Sequence, residues 1–507
     1  MERNGGAHRL MTGSLAGIAA GLALLPACRP AEEPGPPPQF DVVLISVDTL
    51  RADRLNCYGY EKREVSPNID ALAGDGILFE NFITSSPWTT PAHLTMFTSL
   101  YPSTHGVTQT IKELEASLQH GAKFSRLADS RVTLAEVLKA SGYTTGAFTG
   151  GGTLAPGIGF DQGFDHYVCT MHKLHSFNMR EMNEWIDRHA ERLFFLFWHN
   201  FEVHAPYLDG TYLDEVLPPD TAAEIRQFLH EASRTRKYRG PTVEEQKNVV
   251  ERTKYLLLSK QAYNAMVCGA LYDGGIKSMD NWLGEFIRDL RRRGLYDRTL
   301  IILTSDHGEE FGERNPHFVY GAHGHSLYEE MVRAPLIIKL PDQRYAGTRV
   351  SSAVRMIDVM PTILDVLGIK RGPKEMQGLS LRPLWERPET REDRLAVNEA
   401  LANESEKKAA RTGRYKFIYS LDAGAVARHG RSHMPEHLDD VELYDLHADP
   451  EEKNNLLRDG PSVASTEIAA TLEKHLREYV AGARGRADTV ELDEEAIENL
   501  RALGYLD

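Results

Sequence analysis

Asp48, Thr89 and the adjacent pair Asp306-His307 are residues of this 507-residue chain whose types could assemble a reactive centre. Two carboxylates and an imidazole can hold a divalent cation, and the Thr89 hydroxyl can act as a further ligand. A free threonine hydroxyl is a poor nucleophile, and coordination to a cation is one way to lower its pKa. Thr90-Pro91 reads as a helix start, with Thr at the cap and Pro at the first helical position. Thr89 would then lie where helix N–H groups face a phosphate or sulfate oxyanion. Taken singly, each of these residues reads as an ordinary turn or cap. The elements that carry them change that reading.

Asp41 to Val47 is a short apolar run rich in β-branched residues, the pattern of a buried strand, and it stops at Asp48. A second run spans 193–198 and leads into the loop 199–206, and a third spans 300–304 and leads into Ser305-Asp306-His307-Gly308. Helical stretches lie between, at 132–140 and, with amphipathic spacing, at 281–293. Buried strands that each end in acid or imidazole residues describe an α/β fold: a large, mostly parallel or mixed sheet flanked by helices, with its site beyond the strand ends. Residues 221–260 read as a charged helical insertion whose basic run Arg234 to Arg239 is a solvated surface. After Gly372 the pattern loosens into a small α+β subdomain, with a strand at 412–419 and a helix at 466–482.

Composition narrows the function. Lys and Arg number 58 against 73 Asp and Glu, a net charge of −15, which excludes the basic footprint of a duplex nucleic-acid binder. An anionic substrate must therefore meet local positive charge, such as a metal. Four cysteines in 507 residues cannot build a disulfide framework, and Cys57, Cys169 and Cys268 have no metal-type spacing and read as small buried thiols. The Gly-rich segment 150–157 lacks the ending of a phosphate-binding P-loop and reads as a flexible loop near the site. His166, His172 and His175 read as surface residues.

Several passages in order resemble the sulfatase branch of the alkaline phosphatase superfamily. They are Ile45-Ser-Val-Asp48, Pro87-Trp-Thr-Thr-Pro-Ala-His93 through Leu100-Tyr-Pro102, Thr304-Ser-Asp-His-Gly-Glu309, Leu327-Tyr-Glu-Glu330, Asp358-Val-Met-Pro-Thr362, Glu442-Leu-Tyr-Asp-Leu446 with Asp449-Pro450, and the ending Leu500-Arg-Ala-Leu-Gly-Tyr505. The resemblance implies a metal-dependent ester hydrolase in which Asp48, Thr89, Asp306 and His307 bind the metal. His204 matches the family histidine that contacts the transferred group or leaving oxygen, and His323 and His325 lie where relatives place a cationic or metal-binding residue. One of these three would serve as general acid. Glu202, His204 and His323 could instead complete a second metal site.

The departures from the family pattern carry as much weight. Sulfatases have Cys-x-Pro-x-Arg, whose Cys becomes formylglycine; here the run is Thr89-Thr-Pro-Ala-His93, so no formylglycine is expected and His replaces Arg. The paired Asp-Asp is Asp48-Thr49, and the expected Lys-x-His is missing after Gly142-Tyr-Thr-Thr145. The remaining set is similar to superfamily phosphotransferases and phosphodiesterases that use Thr. Nitrogen from His307 favours Mn or Zn, with Ca or Mg as alternatives. The expected activity is cleavage of a phosphomonoester, phosphodiester or phosphonate. Sulfate ester hydrolysis, transfer to a lipid or glycan, and an inactive binding lipoprotein are the alternatives.

At the N-terminus, Arg3 and Arg9 precede an apolar stretch that ends in Leu25-Pro26-Ala27-Cys28. This is the order of a secretory signal, and its end resembles a bacterial lipobox. The expected organisation is a signal peptide at 1–27, a lipidated Cys28 with a Pro-rich tether at 28–39, a catalytic domain at 40–371 and a C-terminal subdomain at 372–507. The mature protein would then be exported and held at the cell-envelope membrane by its lipid.

Overall fold

Seven consecutive residues, Asp41–Val47, form strand β1, and every one is buried. Successive side chains point to opposite faces, so Val43, Ile45 and Val47 join one apolar cluster while Val42 and Leu44 join another. Burial on both faces is what makes this strand an unbroken apolar run in the sequence. Each such side chain contributes about 1.5–3 kcal/mol on leaving water.

The computed structural model describes residues 40–108, 124–170, 175–239, 252–260, 264–314, 323–387, 392–400, 406–420, 441–458, 460–483, 485 and 487–490. The expected signal, Cys28, the tether and the closing motif at 500–505 lie outside these residues. Strands follow in chain order as β1, β2 (Ile77–Ile83), β3 (Phe124–Leu127), β4 (Thr144–Gly150), β5 (His166–Thr170), β6 (Phe194–Asn200), β7 (Thr299–Thr304), β8 (Arg333–Lys339) and β9 (Thr348–Arg355). All but β3 form an eight-stranded sheet in the order β5-β4-β6-β1-β7-β8-β2-β9. From β5 to β7 neighbours are parallel; β8 runs antiparallel to both β7 and β2, and β2 is parallel to β9. The sheet is thus mostly parallel and mixed at one side, as expected.

Helices cover both faces. The longest, Ala265–Arg292, buries Val267, Leu271, Met279, Leu283, Phe286 and Leu290 against one face. Sequence periodicity shows only its second half, because Gly269, Gly274 and Gly275 read as breakers. Their role is close approach: a Cβ at Gly274 would collide with the Asp209 carbonyl. The helix Thr89–Thr98 buries Ala92, Leu94, Met96 and Phe97 on the other face. The charged segment after residue 218 begins as the helix Pro219–Arg239.

A second, antiparallel sheet of four strands follows: β10 (Ala396–Ala400), β11 (Lys407–Arg411), β12 (Tyr415–Ser420) and β13 (Val441–Asp445). The helix Val463–Gly482 packs Ala469, Leu472 and Leu476 onto Val397, Ala410, Phe417 and Leu443 of one face. On the opposite face Ala409, Ile418 and Tyr444 meet Leu327, Tyr328, Met331 and Val332. This C-terminal sheet therefore backs the chain that directly follows His323 and His325. A last strand, β14 (Ala487–Val490), pairs with β3.

Candidate active site

Strands β6, β1 and β7 lie side by side, so their ends bring His199, Asp48 and Asp306-His307 together. All four side chains are fully buried. Thr89 joins them as the first residue of the helix Thr89–Thr98, after an extended Trp88 (φ −143°, ψ 133°). That is a correction to the expected start: the helix opens at Thr89, and the Thr90 hydroxyl donates to the Thr153 carbonyl, 3.0 Å away, instead of capping. Pro91 is consequently the third helical residue, still within the turn where no N–H is required.

The expected ligands converge. His307 Nε2 lies 3.2 Å from Thr89 Oγ1, 3.4 Å from Asp306 Oδ2 and 3.9 Å from Asp48 Oδ1. Two atoms bound to one ion at about 2.1 Å stand about 3.0–3.5 Å apart. Asp48, Asp306 and His307 form one of two groups among the described residues whose ligand atoms lie within 4.8 Å of one another. Both Asp48 oxygens and Asp306 Oδ2 are buried without a hydrogen-bond donor at normal geometry. Uncompensated carboxylate oxygens are costly in a protein interior, so the donor set fits a divalent cation. The His307 Nδ1–H donates to the Gly308 carbonyl at 2.8 Å, which leaves Nε2 to face the carboxylates.

Electrostatics follow from burial. Burial raises the Asp48 carboxyl, opposed by the His204 and His307 imidazoles. Burial also lowers His307, but Asp306 and Asp48 outweigh it and the net direction is upward. His204 and His323 are both pushed down by burial, His323 well below the ordinary range.

Of the three candidate acid histidines, two reach the centre. The His323 ring lies 4.8 Å from the His307 ring and 5.1 Å from that of His204. His323 Nδ1 is 2.9 Å from Glu309 Oε1, and Tyr207 donates to Glu309 Oε2 at 2.9 Å. His204 stacks on Phe201 at 4.2 Å and gives its Nδ1–H to the Ala205 carbonyl. His325 instead pairs Nε2 with Glu310 Oε2 at 2.7 Å. Glu202, His204 and His323 do not make a ligand group among the described residues.

His93, which stands where sulfatases have Arg, is fully buried behind Thr89. Its Nδ1 faces the Thr89 carbonyl at 2.9 Å and its Nε2 faces Ser46 Oγ at 2.9 Å. Burial holds it at about 4, so it is neutral and braces the first helical turn without adding charge. His199 and Glu309 were not singled out by sequence; the signals available were their positions at the ends of apolar runs. The glycine-rich segment does border the site, since the Gly150 carbonyl accepts from His199 Nδ1.

His105 also supports this helix, with Nε2 3.2 Å from the Pro91 carbonyl and Nδ1 accepting from the Val107 N–H. Burial lowers it from 6.5 to about 4. The unfolded chain therefore binds an extra proton between those values, and stability present above 6.5 is lost as pH falls towards 4. A shift of that size corresponds to about 3 kcal/mol. Denaturant melts of the protein and of His105→Gln at pH 7 and 4.5 measure it: the variant should be less pH-sensitive. Equal pH sensitivity would contradict the neutral, buried imidazole.

A sulfatase family model matches residues 41–369, and one for the C-terminal part of N-sulphoglucosamine sulphohydrolase matches 321–481. The chain belongs to the sulfatase family. The N-acetylglucosamine-6-O-sulfatase of Bacteroides thetaiotaomicron is 30% identical over 222 residues, 41% of this chain but only 35% of that protein's length. The ulvan-active sulfatase of Formosa agariphila is 24% identical over 471 residues, covering 88% of this chain and 83% of that protein. The phosphonate monoester hydrolase of Agrobacterium radiobacter shares the fold, with a TM-score of 0.59 at 21% identity over 90% of this chain and 98% of its own.

Proposed function

We propose that the protein is a metal-dependent hydrolase that uses Thr89 as nucleophile on an anionic ester, with a phosphomonoester, phosphodiester or phosphonate as substrate. The observation that carries this reading is the Thr89 hydroxyl itself, buried at the first turn of its helix and 3.2 Å from His307 Nε2. Asp48, Asp306 and His307 would hold the cation, and the nitrogen ligand favours Mn or Zn over Ca or Mg. Such an ion supplies charge to the bound anion and lowers the pKa of a coordinated hydroxyl. The amides of the first helical turn stand ready for the anion's oxygens. Thr89 Oγ1 displaces the leaving alkoxide, forming an ester on Thr89 that water then cleaves. Proton transfer falls to His323 and His204, which face the centre with Nδ1 fixed by Glu309 and by the Ala205 carbonyl.

The preference for phosphorus rests on residue 89. Formylglycine releases sulfate through collapse of a hemiacetal, whereas a threonine ester has no such route and must be opened at P or S. A second reading, sulfate ester hydrolysis, is favoured by the relatives, since both curated proteins named above are sulfatases. Steady-state assays on aryl phosphate, bis-aryl phosphate, aryl phosphonate and aryl sulfate separate the two. The expected result is kcat/KM at least about 100-fold higher on one phosphorus ester, a difference near 3 kcal/mol. Preference for the sulfate would overturn the phosphorus assignment and leave the Thr89 chemistry to be tested separately.

A further inference from the structure

The centre contains one more imidazole in a ligand-like setting than the sequence motifs name. His199, the penultimate residue of β6, lies opposite Ser46 of β1, one pair before Asn200 meets Val47, and Ser46 is two positions from Asp48. Its Nδ1 is 2.8 Å from the Gly150 carbonyl, an acceptor only, so Nδ1 carries a proton and Nε2 is the nitrogen turned to the centre. That Nε2 lies 3.2 Å from Asp48 Oδ2. At this distance Nε2 and the carboxylate oxygen need positive charge between them, from a proton or from a metal ion. A carbonyl-locked Nδ1–H with Nε2 turned to a carboxylate is how metal-bound imidazoles are oriented, and His307 repeats it with the Gly308 carbonyl.

The neighbouring groups narrow the choice. Asp48 turns Oδ2 to His199 and Oδ1 to His307, at 3.2 and 3.9 Å. Thr49, which occupies the position of the second acid of the sulfatase Asp-Asp pair, is no substitute ligand. Its hydroxyl donates to the Asp48 carbonyl at 2.7 Å and its N–H to Asp306 Oδ1 at 3.2 Å, in a left-handed turn with φ 59°. His93 belongs with His199 and Asp306 in the second group of close ligand atoms, and its Nδ1 is 3.6 Å from Asp306 Oδ2. That nitrogen carries the proton given to the Thr89 carbonyl, so it has no lone pair to offer.

We propose that His199 Nε2 is a fourth protein ligand to the cation held by Asp48, Asp306 and His307, an imidazole in place of the missing second carboxylate. The proposal rests on the reading that this cluster holds a divalent cation. Two nitrogens and two carboxylates then select Zn, Mn or Co over Ca and Mg.

Chelator-stripped protein, His199→Ala and His199→Gln are titrated with Zn and Co, with a chromophoric chelator as competitor and the cobalt visible spectrum as second readout. Melting of the stripped proteins shows that each variant is folded. The expected result is one equivalent of metal, Zn affinity at least about 100-fold weaker in both variants, Ca affinity changed far less, and an altered cobalt spectrum. Unchanged Zn affinity and spectrum in both variants would overturn the assignment and leave His199 as an ion-pair partner of Asp48. Two equivalents falling to one would overturn it in favour of a second ion. Failure of the unsubstituted protein to bind Zn or Co overturns the underlying cation reading as well, which distinguishes the two failures.

Discussion

Thr89→Ala is expected to lower kcat by about 10⁴- to 10⁶-fold on any ester the protein turns over, with the melting temperature of the metal-free protein nearly unchanged. That loss corresponds to about 5.5–8 kcal/mol of transition-state stabilisation. The hydroxyl is fully buried, at hydrogen-bonding distance from His307 Nε2, and sits on a helix held by Leu94, Met96 and Phe97 packing that the substitution does not touch. Nothing else in the first helical turn can replace it, because the Thr90 hydroxyl is turned to the Thr153 carbonyl. Thr89→Ser keeps the oxygen and loses only a methyl, so most of the activity should return. Rapid quenching during turnover of the unsubstituted protein should trap phosphate or sulfate on the peptide containing Thr89, and none in Thr89→Ala. Turnover within tenfold of normal in Thr89→Ala would mean that water attacks the substrate directly and that Thr89 only binds.

The parts of this site that can be read in the sequence are those attached to long apolar runs. Strands β1, β6 and β7 are buried on both faces, so they announce themselves, and Asp48 and Asp306-His307 follow directly at their ends. His199 is hidden by the same rule. In the sequence it reads as the opening of a loop after Trp198, yet β6 continues to Asn200, and only the parallel register with β1 sets His199 against Asp48. Glu309 reads as another acid of a turn. Its role depends on His323, 14 residues further on, returning to it through a segment backed by the C-terminal sheet. That sheet is itself poorly legible, because strands such as Lys407–Arg411 bury charge: Lys408 pairs with Glu399 inside the fold. Tertiary pairing, not local pattern, makes such a sequence a strand. The imidazole tautomers lie at a further remove, since they are set by carbonyls of Gly150, Ala205 and Gly308.

Asn at position 48 should have opposite effects on stability with and without metal. Asp48 is fully buried, neither oxygen has a donor at normal geometry, and burial raises its carboxyl above 3.8 despite His204 and His307. Above 3.8 the unfolded chain releases a proton that the metal-free folded chain still retains, so this group's contribution to stability declines as pH rises through its folded pKa. Asp48→Asn removes that cost, and the metal-free variant at pH 7.5 should be about 1–3 kcal/mol more stable than the unsubstituted protein. Saturating metal reverses the order. A ligand at a thousand times its dissociation constant stabilises the folded chain by about 4 kcal/mol, and the variant, with a weaker ligand at 48, loses most of that gain. Activity should fall at least about 10³-fold, because the same carboxylate helps to hold the charge that receives the anion. Melts in EDTA and in excess Mn or Zn should therefore cross, the variant higher in the first and lower in the second. Equal destabilisation in both conditions would make Asp48 a structural acceptor and remove the physical basis for a cation at the ends of β1 and β7.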